Sequence, residues 1–309
     1  QIQSSNIAGE DKQRMIDEEK LEEMGFTLHA GIWYENDFER KTLGKLVPSG
    51  KLALDFHSDL GANIEGEIKK LRLSLTESEI GRMREVGYLA SLALEEAAAS
   101  LRPGDTEIEA VKRIAISLFD HGMEFTSLMC ASDERLYNYR HAIATDNIIK
   151  ERVQIGGNMR KWGLTVCLSR YVNFVPVTEK LLRQYRLNQE IDCTLMVNSV
   201  PGRPYTAPLK AAQALYEKHG IPEEFTLHHQ GGPIGYANRD YRVDFALPGT
   251  IVENQAFCWN PSITGTKSED TIVVRKDSFE FMTRPILFPK NEVTVDGKTF
   301  IRPDILEKY

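Results

Sequence analysis

Nothing in this 309-residue sequence is apolar for long enough to cross a bilayer. Nor is there the basic excess that general binding to nucleic acid or anionic membrane requires. The 38 Lys and Arg residues stand against 45 Asp and Glu, a net charge of −7. Cysteine is scarce. Cys130, Cys167, Cys193 and Cys258 are thinly spread with no C-x-x-C pair. That argues against a disulfide framework or a cysteine-built zinc site, and suits free thiols in a reducing cytoplasm. Short-period repeats and low-complexity tracts are also absent. The sequence starts at Gln1 rather than methionine, which leaves a removed leader open.

What is present is the composition of a soluble globular protein, 41% hydrophobic and 27% charged, long enough for one large or two ordinary domains. Residues 1–30 are polar. Asp17 to Met24 has helix formers with few apolar anchors and reads as an exposed helix, and Gly50 to Phe56 alternates like a strand. Residues 1–70 read as part of a small α/β domain, and residues 71–309 as the main one. The second unit opens on a capping box from Thr76 to Glu79, ahead of a helix running to Ser100. A turn at Arg102-Pro103-Gly104-Asp105-Thr106 leads to a second helix ending near His121. Met123 to Ser132 reads as a strand, and residues 153–158 and 163–174 as a strand pair joined by Asn158 to Trp162. Residues 177–190 have helical composition, Ile191 to Ser199 reads as a strand, and 205–220 as an amphipathic helix. Strand-like runs follow at Thr250 to Asn260, Asp270 to Arg275 and Phe279 to Leu287. A unit of two helices then strands, occurring twice, implies an α+β fold with internal two-fold character.

The densest chemistry lies in Leu227-His228-His229-Gln230-Gly231-Gly232-Pro233-Ile234-Gly235-Tyr236, with Arg239 and Arg242 just beyond. Adjacent imidazoles, bare backbone and guanidinium groups at one locus point to a site.

Several stretches together resemble the creatinase and aminopeptidase P (M24 peptidase) family, whose fold is called pita-bread. They are Leu75 to Ile80 with Met83-Arg84, Arg102 to Glu107, Tyr139-Arg140-His141 with Thr145-Asp146 and Ile149-Lys150, Gly156 to Arg170, and Thr266 to Thr271. The order and intervals agree over residues 71–289. The resemblance implies the pita-bread fold for residues 71–309, a homodimer, and a small-molecule or short-peptide substrate. Metal-dependent members hold two divalent ions with two Asp, one His and two Glu. Those positions fall here at Gly156 (or a neighbour), Cys167, Gly232, Asn260 and Glu269. Only Glu269 keeps its type, so neither a metal nor any other cofactor is expected. His228, His229, Cys167 and Glu269 have donor types suited to zinc, with nothing in their spacing to bring them together.

Within the family, creatinase cleaves a C–N bond with a histidine and no metal. That precedent implies a metal-independent hydrolase acting on a small amino-acid-like or dipeptide-like substrate. His141 would be the proton-transfer group, with His228 and Glu269 as its catalytic partners. His229 should point away from His228 if the segment is extended. Arg239, Arg242 and Lys267 would bind an anionic group, Asn260 would offer an amide, and Tyr236 would wall the pocket. Cys167 would line it, as an inert thiol or as a nucleophile. The competing readings are a non-catalytic domain that binds a peptide or metabolite, and a metal-dependent Xaa-Pro peptidase with atypical ligands.

Overall fold

The computed structural model describes residues 13–32, 34–47 and 50–309. It divides into two units, Gln1–Ile68 and Lys69–Tyr309. In the first, the described residues form a π-helical turn at Gln13–Glu18, a helix at Phe38–Leu46, and two parallel two-residue strands, β1 (Ala53–Leu54) and β2 (Ala62–Asn63). The helix expected over 17–24 is not there. Lys20 has a left-handed φ of 55°, and residues 21–25 are turn. The strand expected over 50–56 shrinks to β1. Residues 1–12 of the α/β reading lie outside the described residues.

The second unit is built twice over. The helix Glu77–Ser100 begins at a full capping box on Thr76, and the helix Glu107–Asp120 begins at another on Thr106. Both pack on strands β3 (Glu124–Ser132), β4 (Arg152–Lys161) and β5 (Leu164–Asn173) through Ile80, Met83, Leu94, Ile114, Ile155 and Val166. The helices Glu179–Val197 and Thr206–Lys218 repeat the arrangement. Their sheet contains β6 (Gly231–Ile234), β7 (Ala256–Trp259), a β10 (Asp270–Val274) and a β11 (Phe279–Phe281), in the order β11-β10-β7-β6. The two-residue strands β8 (Ser262–Ile263) and β9 (Thr266–Lys267) form a hairpin between β7 and β10. This is the α+β pita-bread arrangement.

Four expectations differ in detail. The runs Thr250 to Asn260 and Phe279 to Leu287 form strands only over Ala256–Trp259 and Phe279–Phe281. Residues 191–197 continue the helix Glu179–Val197 rather than forming a strand. Asn188, Ile191, Asp192, Leu195 and Met196 are all buried, a three-and-four spacing that puts them on one helical face. The β4–β5 connection is also shorter than Asn158 to Trp162. Both strands run on to a two-residue turn, Trp162-Gly163, with φ of 53° and 77°. The C-terminal hairpin β12 (Lys290–Val295) and β13 (Lys298–Pro303), and β14 (Leu306–Glu307) beside β5, have no counterpart in the sequence reading.

The two sheets meet where β5 faces the start of β10. Cys167 N donates to Thr271 Oγ1 at 2.8 Å, which donates back to Cys167 O at 2.9 Å. Ser169 N donates to Glu269 O at 3.1 Å. Beside this seam runs a chain of fully buried charges. Arg170 lies 2.8 Å from Glu95 and 3.1 Å from Asp270, and Arg302 lies 3.0 Å from Asp270 and 2.5 Å from Asp192. Each charge has an opposite neighbour, which burial of this kind requires.

Candidate active site

Two segments bring three histidines together. The first follows β3 and is tied down by the buried Glu107. Its carboxylate accepts from Ser132 N and Oγ at 2.8 and 2.9 Å, from Thr145 N and Oγ1 at 3.0 Å, and from Arg135 Nε at 3.0 Å. Asp133 holds the far end by accepting from the backbone N–H groups of Lys150, Glu151 and Arg152. Between these anchors stands His141. Its neighbour Arg140 donates to Glu224 at 2.6 Å, to Ser262 Oγ at 2.6 Å and to Thr264 Oγ1 at 2.7 Å. Glu224 lies in the short helix Pro222–Thr226, which ends just before His228 and His229. One ion pair therefore fixes both histidine-bearing segments.

His228 Nε2 lies 3.2 Å from His141 Nδ1 and 3.4 Å from its Nε2. The His229 ring stacks on His228 with centroids 4.5 Å apart, and lies 5.8 Å from His141. One ring nitrogen from each histidine falls within 4.8 Å of the others. His228 and His229 do not point opposite ways, because the chain turns at Leu227 and bends at His228. Gln230 Nε2 donates to His228 O at 2.8 Å, and Gly231 N donates to His229 Nδ1 at 3.2 Å.

All three rings are held neutral. Burial and then the Lys267 ammonium push His141 below the usual imidazole range, with Arg239 adding to the effect and Glu269 opposing it. The same causes, with the neighbouring imidazoles and Arg140, push His228 down to about 2. Burial and Arg239 push His229 down to about 4.

Beneath the seam lies a second group. Glu269 is buried, with Lys267 Nζ at 2.8 Å and Ser169 Oγ donating at 2.6 Å. Burial pushes its carboxyl up, but Lys267, Ser169 and Arg239 outweigh this and hold it below the usual range. The Cys258 thiol lies 3.8 Å from Glu269 Oε1 and 3.8 Å from Cys167 O. Arg239 Nη1 donates to Gly232 O at 2.6 Å and Cys258 O at 2.8 Å. Asn260 is buried; its N donates to Gln230 O at 2.9 Å, while its Oδ1 has no hydrogen-bond partner among the described residues.

The remaining candidates stand apart in role. Tyr236 donates its hydroxyl to Glu79 Oε1 at 2.5 Å, closing the first helix cap. Arg242 is exposed and makes no side-chain hydrogen bond or ion pair among the described residues. Cys167 is buried and takes part through its backbone. Ser169, Cys258, Arg140 and Glu224 belong to the site and were not singled out from the sequence. The period of two along a strand could have found Ser169 from Cys167 and Cys258 from Asn260.

These residues do not fit a pair of divalent ions. Gly156 and Gly232 offer no side-chain donor, and neither position has room for one. A Cβ on Gly156 would lie 2.5 Å from Ser169 Oγ and 2.6 Å from Leu168 O. A Cβ on Gly232, whose φ is +152°, would lie 2.5 Å from Tyr241 O. The one carboxylate left among the five positions already carries an ammonium, and Arg239 adds a second positive charge beside it.

The family model for metallopeptidase family M24 matches residues 81–276. An uncharacterized peptidase of Staphylococcus aureus is 22% identical over 244 residues, covering 75% of this chain and 69% of its own length. One from Staphylococcus haemolyticus is 24% identical, covering 81% and 76%. Among solved structures, the X-Pro aminopeptidase from Thermotoga maritima superposes with a TM-score of 0.77 at 17% identity, over 94% of this chain and 83% of that one. The Xaa-Pro dipeptidase from Bacillus anthracis gives 0.74 at 20% identity, over 96% and 84%. The chain carries the pita-bread fold and belongs to metallopeptidase family M24.

Proposed function

We propose that this protein is a hydrolase that cleaves a C–N bond in a small amino-acid-like or dipeptide-like substrate without the family's metal pair. The observation that carries the reading is the pairing of His141 with His228 at 3.2 Å above a carboxylate already neutralised by Lys267. A neutral His141 can take a proton from water as the water oxygen bonds to the carbonyl carbon, and return it to the leaving nitrogen as the C–N bond breaks. His228, also neutral, can accept a hydrogen bond from the His141 ring and hold its orientation. The Lys267 and Arg239 charges would favour a developing oxyanion. Asn260 Oδ1, buried and lacking a donor, suits a substrate N–H. Exposed Arg242 suits a carboxylate. A homodimer in a reducing cytoplasm completes the proposal, and light scattering tests the dimer.

The test is turnover of ureido, guanidino and prolyl dipeptide compounds by chelator-treated protein, with His141→Ala as control. Turnover lost in that variant supports the reading. Turnover equal to wild type would remove His141 from the chemistry, and no turnover by wild type would favour the binding domain.

A further inference from the structure

The floor positions and the histidine cluster differ in donor type and in depth. The family's ions need hard oxygen ligands at the floor of the site. The cluster offers only imidazole nitrogen, at the rim, and His229 is outside the family's ligand pattern. We propose that His141, His228 and His229 form a mononuclear site for one late first-row divalent ion, Zn²⁺ being the reference case.

The geometry is close to what such an ion needs. Nitrogens about 2.0–2.1 Å from a tetrahedral ion lie roughly 3.3 Å from each other. His228 Nε2 and His141 Nδ1 are 3.2 Å apart, and the widest separation among the three chosen ring nitrogens is below 4.8 Å. The exposed His141 and His229 rings supply the remaining movement. His229 must swing off Gly231 N–H, since its Nδ1 now accepts that bond. The Arg140–Glu224 pair at 2.6 Å keeps the two ligand-bearing segments together before any ion arrives.

Three neutral imidazoles with an open fourth position suit Zn²⁺, Cu²⁺, Ni²⁺ or Co²⁺ and disfavour Mn²⁺ and Mg²⁺, which prefer carboxylate and water oxygen. The ion keeps its full charge beside Lys267 and Arg239, so the fourth ligand is expected to be anionic: hydroxide or a carboxylate. This inference does not rest on the hydrolase reading. Where both hold, the ion occupies nitrogens that proton transfer needs, and zinc inhibits.

The test titrates full-length, chelator-treated protein with Zn²⁺ by calorimetry and with Co²⁺ by visible absorption. The expected result is one equivalent, a tetrahedral Co²⁺ spectrum, no comparable Mn²⁺ binding, and at least tenfold weaker Zn²⁺ binding in His229→Ala. His228→Asn is the second variant, and both are compared with wild type in melting temperature under chelator to show that they fold. No binding, two equivalents, or binding that neither variant weakens would overturn the proposal. Either result reads without reference to turnover.

Discussion

The floor and the rim of the site are built on opposite terms. At the floor, Lys267 and Glu269 are only 3% exposed and lie 2.8 Å apart, while Gly156 and Gly232 are closed off by neighbouring oxygens. At the rim, His141 and His229 are exposed and all three imidazoles are neutral. The floor carries its own cation against its carboxylate, and its two glycine positions leave no room for a side chain. The rim has kept ligand-type groups without any countercharge. Uncompensated ligand-type groups are therefore concentrated at the rim.

The largest expected effect lies at the rim and is kinetic. His141→Ala should lower turnover roughly 10²–10⁴-fold, the usual range for a general acid–base group, with little change in melting temperature. Equal turnover would erase the contrast, leaving the rim as inert as the floor.

The largest stability effect belongs to the floor. Lys267→Met leaves Glu269 buried with Ser169 as its main donor, and should destabilise by about 3–5 kcal/mol in denaturant unfolding. Adding Glu269→Gln should recover most of that loss, because the stranded charge is then gone. A smaller floor effect is steric. Gly156→Asp puts a Cβ 2.5 Å from Ser169 Oγ, and should destabilise by about 1–3 kcal/mol without creating Mn²⁺ binding.

The smallest effect is a pH dependence at the rim. His228 and His229 are pushed from 6.5 down to about 2 and about 4, so the unfolded chain binds more protons once the pH drops below 6.5. Their contribution is fully present above 6.5 and is lost as the pH falls towards those values. Melting temperature measured from pH 7.5 to 4 should fall less steeply in His228→Gln than in wild type. Parallel curves would show that the imidazole is not held neutral by its surroundings.

Much of the fold was legible in local signals. The capping boxes at Thr76 and Thr106, and the ordered motifs from Leu75 to Thr271, rest on short-range chemistry or on fixed intervals. Residues 191–197 misled because Ile, Thr and Val favour strands, whereas the burial of Asn188, Asp192 and Leu195 on one helical face depends on tertiary packing. The site was half visible. The motifs single out His141 and His228, but the direction of His229 depends on the turn at Leu227 and bend at His228, which neighbouring residues do not reveal. The Arg140–Glu224 clamp joins positions 84 residues apart, beyond any local pattern. The Lys267–Glu269 pair was within reach, since the two residues are separated by one on a nearly extended segment.

We propose that the floor's own cations, Lys267 and Arg239, take the place of the family's metal pair. Calorimetric titration of chelator-treated, full-length protein with Mn²⁺ tests it most directly. The expected result is no tight binding; two tightly bound equivalents would contradict it.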